Sequence, residues 1–211
     1  MWLIDAANSR EPEAARLISA EERARAARFL RPALGARYIA AHAALRTLLA
    51  QRLGVRPDAL DFARNAFGKP SLPDCPDLAF NLSYSGRYAL IGVAQGSAIG
   101  VDIEAVRVIE DADDLMPLHY TASEQGYVRD AGREGRSAEA FLRIWTRKEA
   151  CVKALGCGLT MPLNQVECGY ARSIATVHLE GSAYRTGTMA VAASANITEP
   201  VILSWSHLQK R

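Results

Sequence analysis

The chain has 211 residues, of which 49% are hydrophobic and 23% charged, with a net charge of +2. This composition predicts a soluble globular protein of one large or two small domains, and no apolar run approaches the ~18 residues of a membrane span. A pI near 8.4 is too mild a basic excess to make nucleic acid the main partner.

The N-terminal Met1-Trp2-Leu3-Ile4-Asp5 lacks the basic and apolar regions of a secretory signal, so it reads as a first strand and the protein as cytoplasmic. Cys75, Cys151, Cys157 and Cys168 show neither a C-x-x-C pair nor zinc-like histidine spacing and are expected to be buried thiols. Arginine outnumbers lysine by 21 to four, which makes the lysines informative: Lys69, Lys148 and Lys153 all fall in motifs discussed below, and Lys210 lies in the tail.

In chain order, residues 11–18 predict a short helix. A capping box at Ser19 and Glu22 opens a second, which carries Arg23, Arg25, Arg28 and Arg31 before Pro32 ends it. Those arginines form either a solvated basic face or an anion-binding surface. A long helix is expected from Leu34 to Leu53 with Gly54 as its stop, and Arg37 and Arg46 lie beside its apolar stripe, either within reach of a ligand or only solvated, as surface arginines usually are. Residues 60–63 read as a strand and Asn65 to Pro70 as a turn; a proline-rich loop covers 72–77. A hairpin follows, 79–83 and 88–94, joined across Ser85-Gly86. Its first strand turns Phe80 and Leu82 one way and Asn81 and Ser83 the other, a polar face suited either to phosphate oxygens or to open solvent.

In Ile99-Gly100-Val101-Asp102-Ile103-Glu104, alternation turns the β-branched pair to a core and both carboxylates to the opposite face. Such a D-x-E is either a solvated strand edge or half of a site for a hard cation such as Mg²⁺. Beyond it come loop and helix over 106–118, a helix opened by a capping box at Thr121 and Glu124, and a charged surface loop over 130–136. A helix is then expected from Ala138 to Leu155 with Gly156 as its stop. Phe141, Ile144, Trp145, Val152 and Leu155 form its buried side, and Glu149 and Lys153 stand one turn apart at the margin. The remainder, 159–205, reads as strands. Gly187 to Ala193 has the texture of Gly86 to Gly92, which hints at two similar halves.

Together, Gly68-Lys69-Pro70, Phe80-Asn81-Leu82-Ser83-Tyr84-Ser85, Gly100 to Glu104 and Trp145 to Lys153 resemble the 4′-phosphopantetheinyl transferases of the surfactin-synthetase-activating type. The resemblance implies an α+β pseudo-dimer, with lobes at 1–97 and 98–211 and coenzyme A in the cleft between them. It implies transfer of phosphopantetheine to a serine of an apo acyl or peptidyl carrier protein by a monomer. Carried over by position, Asp102, Glu104 and Glu149 are magnesium ligands, and Glu149 is also the general base. Lys153 contacts the coenzyme A phosphates near the leaving group, Lys69 and Ser83 are phosphate contacts, and Arg25 and Arg37 fall where cations meet the 3′-phosphate. Two positions depart from the family pattern. Tyr84 replaces the usual histidine, exchanging an imidazole for an uncharged phenol at a coenzyme A contact, and Glu22 stands where some relatives are basic.

No G-x-S-x-G, P-loop or dinucleotide glycine pattern occurs, and His42, His119, His178 and His207 are scattered, which disfavours a serine hydrolase or a nucleotide fold. The rival to the transferase reading is an idle relative that binds coenzyme A or a carrier without turnover.

Overall fold

A computed structural model describes residues 1–6, 11–165, 174–181, 184–193 and 201–203; for Leu159 and the strands beyond residue 173 it describes the backbone alone. The first half runs β1 (Trp2–Asp5), α1 (Glu11–Ala14), α2 (Ala20–Ala26), α3 (Pro32–Leu53), the short pair β2 (Ala63–Arg64) and β3 (Pro70–Ser71), then β4 (Leu78–Ser85) and β5 (Tyr88–Gln95). The second runs β6 (Ile99–Ala105), α4 (Ala112–His119), α5 (Ala122–Gly132), α6 (Ser137–Leu155), β7 (Ile174–Gly181), β8 (Tyr184–Ala193) and β9 (Val201–Leu203). The mixture of helix and sheet is that of an α+β protein.

The halves repeat one topology. In the first, the hairpin β4–β5 takes β1 antiparallel against its second strand; in the second, the hairpin β7–β8 takes β6 in the same way. The similar glycine-led stretches differ in placement: 86–92 covers the turn into β5 and most of that strand, and 187–193 lies within β8. One strand breaks the symmetry: β9 returns to lie parallel to β1, which extends the first sheet to the order β4-β5-β1-β9.

Both faces of β1, β4 and β5 carry buried residues. Ile4, Phe80 and Ile91 face α3 with Tyr38, Leu45 and Leu49, whereas Leu3 and Leu90 face Ile99, Val101 and Ile103 of β6. A third cluster joins α4, α5 and α6 through Met116, Tyr120, Val128 and Phe141. At about 25 cal/mol per Å² of apolar area, these contacts supply the driving force for placing β6 between the first sheet and α6.

Several boundaries differ from the sequence reading. Pro32 begins α3 rather than ending α2, because Arg31 is extended and a proline in the first turn loses no helical hydrogen bond. The first helix stops at Ala14. Leu60 closes a 3₁₀ turn over Pro57–Ala59 instead of starting a strand, and its carbonyl accepts a hydrogen bond from Arg46. The hairpin turns at Gly86-Arg87, one residue later than expected, with Gly86 at φ 55°. Helix α5 extends to Gly132 into the stretch read as loop, and Leu155, expected on the buried side of α6, is 62% exposed. Cys75, Cys151 and Cys157, expected to be buried, are half-buried thiols outside any disulfide; Cys168 lies outside the described residues.

Candidate active site between the two halves

The site is built where β4, β6 and α6 meet. The polar face of β4, neither open to solvent nor free for phosphate, forms a seam to β6. Val101 donates its backbone N–H to Asn81 Oδ1 and Ala105 its own to Ser85 Oγ, both at 2.8 Å, while Ser83 Oγ donates to Asp102 Oδ1 at 2.7 Å. Asn81 and Ser85 thus take up two backbone N–H groups on the edge of β6 that no strand covers among the described residues.

Helix α6 reaches this seam because β6 carries a glycine. A Cβ on Gly100 would lie 2.0 Å from the carbonyl oxygen of Ala150 and 2.3 Å from the amide nitrogen of Ala154, so only glycine admits the helix backbone here. The close approach brings Lys153 Nζ to 2.6 Å from Asp102 Oδ1 and 3.2 Å from Ser83 Oγ, with Glu149 Oε2 at 4.0 Å from the same ammonium. Asp102 is buried, and its second oxygen, Oδ2, has no partner. Burial raises the Glu149 carboxyl above the ordinary glutamate range; Lys153 opposes this, and Asp102 and Glu104 add to it. The three acids therefore share one electrostatic neighbourhood. Glu104 itself pairs with Arg107 at 2.6 Å. Among the described residues no three acids, histidines or cysteines form a closed metal cage, and an ammonium holds Asp102.

The remaining predicted residues line two adjoining hollows that share Pro70 and Asn81. The one beside Glu149 and Lys153, of about 290 Å³, includes Lys69. Its ammonium donates to Ala154 O at 2.7 Å and Ile99 O at 3.3 Å, and burial lowers its pKa. The other, of about 310 Å³, holds Arg25, Arg37 and Tyr84. The guanidinium of Arg37 lies over the Tyr84 ring at 5.0 Å and donates to Gly86 O; Arg37 Nε and the Tyr84 hydroxyl are covered and unpartnered. Burial, reinforced by Tyr38, pushes the Tyr84 phenol far above its usual pKa, so it is a neutral hydrogen-bond donor. Arg25 sits over Tyr38 at 5.6 Å. Of the arginines on the first helices, these two therefore face a cavity.

Arg46 does not. It is buried and bridges Glu22 Oε2 at 2.6 Å to the carbonyls of Pro57 and Leu60, a structural role that its place beside the apolar stripe did not reveal. Burial alone would raise Glu22, but hydrogen bonds from His42 and Ser19 and the charge of Arg46 hold its carboxyl down at about 2. His42, passed over as scattered, is stacked on Tyr38 at 3.9 Å and lines the same hollow. Lys148 is fully buried on Glu124 at 2.7 Å and donates to Leu163 O, anchoring α6 to α5 rather than facing a ligand.

Comparison with known proteins identifies the family. A model of the 4′-phosphopantetheinyl transferase superfamily matches residues 98–186, and one described as 4′-phosphopantetheinyl transferase, N-terminal, matches 7–96. The 4′-phosphopantetheinyl transferase HetI of Nostoc sp. is 35% identical over 172 residues, spanning 79% of this chain and 72% of the relative. A 4′-phosphopantetheinyl transferase of Bacillus subtilis is 30% identical over 147 residues, 70% of this chain and 64% of its own. The L-aminoadipate-semialdehyde dehydrogenase-phosphopantetheinyl transferase of Xenopus laevis is 28% identical over 163 residues, 72% of this chain and 54% of its own. Two family models in tandem, together with a relative that matches over most of both chains, lead to one conclusion: the chain belongs to the 4′-phosphopantetheinyl transferase superfamily and is an enzyme of that class.

Proposed function

We propose that the protein, acting as a monomer of the surfactin-synthetase-activating type, transfers 4′-phosphopantetheine from coenzyme A to a serine of an apo acyl or peptidyl carrier protein and releases 3′,5′-ADP. The observation that carries the reading is the convergence of Asp102, Glu149 and Lys153 from β6 and α6 beside a cleft walled by both halves. The repeated strand order supports two similar lobes, 1–97 and 98–211, as the source of the two walls.

Asp102, Glu104 and Glu149 are the residues to hold Mg²⁺. The fit rests on the buried, partnerless Oδ2 of Asp102 and on the burial of Glu149 beside two further acids, both of which a cation would relieve. Bound there, Mg²⁺ would neutralise charge on the diphosphate. Glu149 takes the proton as the serine oxygen bonds to the β-phosphorus. The phosphoanhydride bond to the nucleotide breaks in the same displacement. Lys153, freed from Asp102, donates to the departing phosphate, and Lys69 lines the approach; Ser83, buried against Asp102, positions that carboxylate. In the adjoining hollow, Arg25 and Arg37 supply positive charge for the 3′-phosphate, and the unpartnered Tyr84 hydroxyl donates a hydrogen bond. Orientation of serine and phosphorus in this cleft supplies much of the rate.

The test is to incubate the protein with coenzyme A and several apo carrier proteins, with Mg²⁺ and with a chelator, and to weigh each carrier by mass spectrometry. A phosphopantetheine mass gain that needs Mg²⁺ is expected on at least one carrier. Absence of any gain across acyl and peptidyl carriers refutes the reading.

A further inference from the structure

The segment 63–71 contributes no residue to the three apolar clusters, yet it touches the site at three points. Asn65 organises it: Oδ1 accepts the backbone N–H groups of Phe67 and Lys69, and the Asn65 N–H donates to Lys69 O, which closes a tight turn with Gly68 at φ 83°. From this turn Asn65 Nδ2 donates to Gly156 O at 2.8 Å, across 91 residues of sequence. Lys69 Nζ, from the other arm, donates to Ala154 O on α6 and Ile99 O on β6.

These acceptors share a physical character. The carbonyls of Ala154 and Gly156 belong to the end of α6, where no further helical N–H is available and the helix dipole favours a cation. Gly156 completes the fit: at φ 68° it ends the helix, and a Cβ on it would lie 2.8 Å from Lys69 Cδ and 3.1 Å from Asn65 Nδ2. Lys153 is the residue before Ala154, and Asp102 follows Ile99 by three positions.

We propose that Asn65 and Lys69 form a strap from the first half that caps the C-terminus of α6 and ties it to β6, so that both are positioning residues for Glu149, Lys153 and Asp102. Lys69 has three N–H groups, and two are committed to the strap; only the third remains for a ligand. The inference rests on the transferase reading for its effect on rate but not for its effect on the helix.

Two variants test it. Asn65→Asp keeps the acceptor that shapes the turn and removes the donor to Gly156, at a residue that contacts no phosphate on any reading. Lys69→Met keeps the aliphatic stem and removes the ammonium. Both should remain folded, because neither side chain belongs to a core cluster. In the free protein, both should speed hydrogen exchange at the amides of residues 152–156 by about tenfold, a measurement that needs no substrate. In the transfer assay Asn65→Asp should lower kcat about tenfold with the KM for coenzyme A within about twofold of the parent, the signature of misplaced catalytic groups. Lys69→Met should lower kcat at least as far. Parental kcat in Asn65→Asp, or unchanged exchange at the end of α6 in either variant, overturns the strap. An inactive parent protein with accelerated exchange in both variants would instead remove the transferase reading and leave the strap standing.

Discussion

Lys148 and Lys153 stand on the same helix, and each makes an ion pair with a carboxylate from an earlier element. The first pair is wholly enclosed: Lys148 and Glu124 are both inaccessible, and Glu124 also accepts the backbone N–H of Thr121 while Lys148 donates to Leu163 O. The second is left open on one side. Lys153 is 28% exposed, Asp102 takes both Lys153 and Ser83 on one oxygen, and its other oxygen has no partner. A saturated buried pair has no capacity for a ligand and is costly to break. An incompletely satisfied one is a poor stabiliser and a ready binding site. The residue types do not distinguish them; the number of remaining hydrogen-bonding positions does.

That contrast is broken most sharply at Glu149. Glu149→Gln should reduce carrier labelling by about a thousandfold, as expected for a general base. The same variant should have a higher thermal midpoint at neutral pH. A carboxyl raised by folding adds instability as pH rises through its titration, and glutamine removes the charge that burial opposes. At the saturated pair the order reverses. Lys148→Met should cost about 3–5 kcal/mol in urea denaturation by stranding Glu124, and adding Glu124→Gln should recover part of it. Recovery of nothing in the double variant would mean that the pair matters through its shape rather than its charge. Gly100→Ala should cost about 1–3 kcal/mol and lower kcat, because the added methyl overlaps the backbone of α6 and pushes Lys153 from Asp102.

A third buried pair sharpens the comparison by pH. Glu22 is held at about 2 by His42, Ser19 and Arg46 against the pull of burial, so its stabilisation is present above the ordinary glutamate pKa and is lost as pH falls from near 4.5 toward 2. Glu22→Gln should flatten the acid limb of the stability profile in that window. The smallest effect is expected at Tyr84. Tyr84→His should tighten coenzyme A by about threefold in calorimetry by placing an ionisable donor beside the arginines. A large loss of affinity would show that the phenol itself is the better donor.

Much of the site is legible in the chain as written. Alternation put Asp102 and Glu104 opposite Val101 and Ile103, the capping boxes at Ser19 and Thr121 formed as local hydrogen-bond patterns require, and Gly54 and Gly156 ended their helices at positive φ. These features depend on neighbours a few residues away. The polar face of β4 was equally plain as a pattern, but its use as the seam to β6 was not, since nothing local tells a buried serine from one facing phosphate. Arg46 and Arg37 lie on one helix beside one stripe, and only the packing of Glu22 makes the first structural and leaves the second in a cavity.

What the sequence alone determined is therefore the inventory: which elements form, which faces are apolar, and which ordered motifs mark the family. What tertiary structure decided is which charges are already satisfied. Satisfaction depends on partners far along the chain, Lys69 with Ala154, Ser83 with Asp102, Glu124 with Lys148, and the low dielectric around them makes one unmatched oxygen consequential.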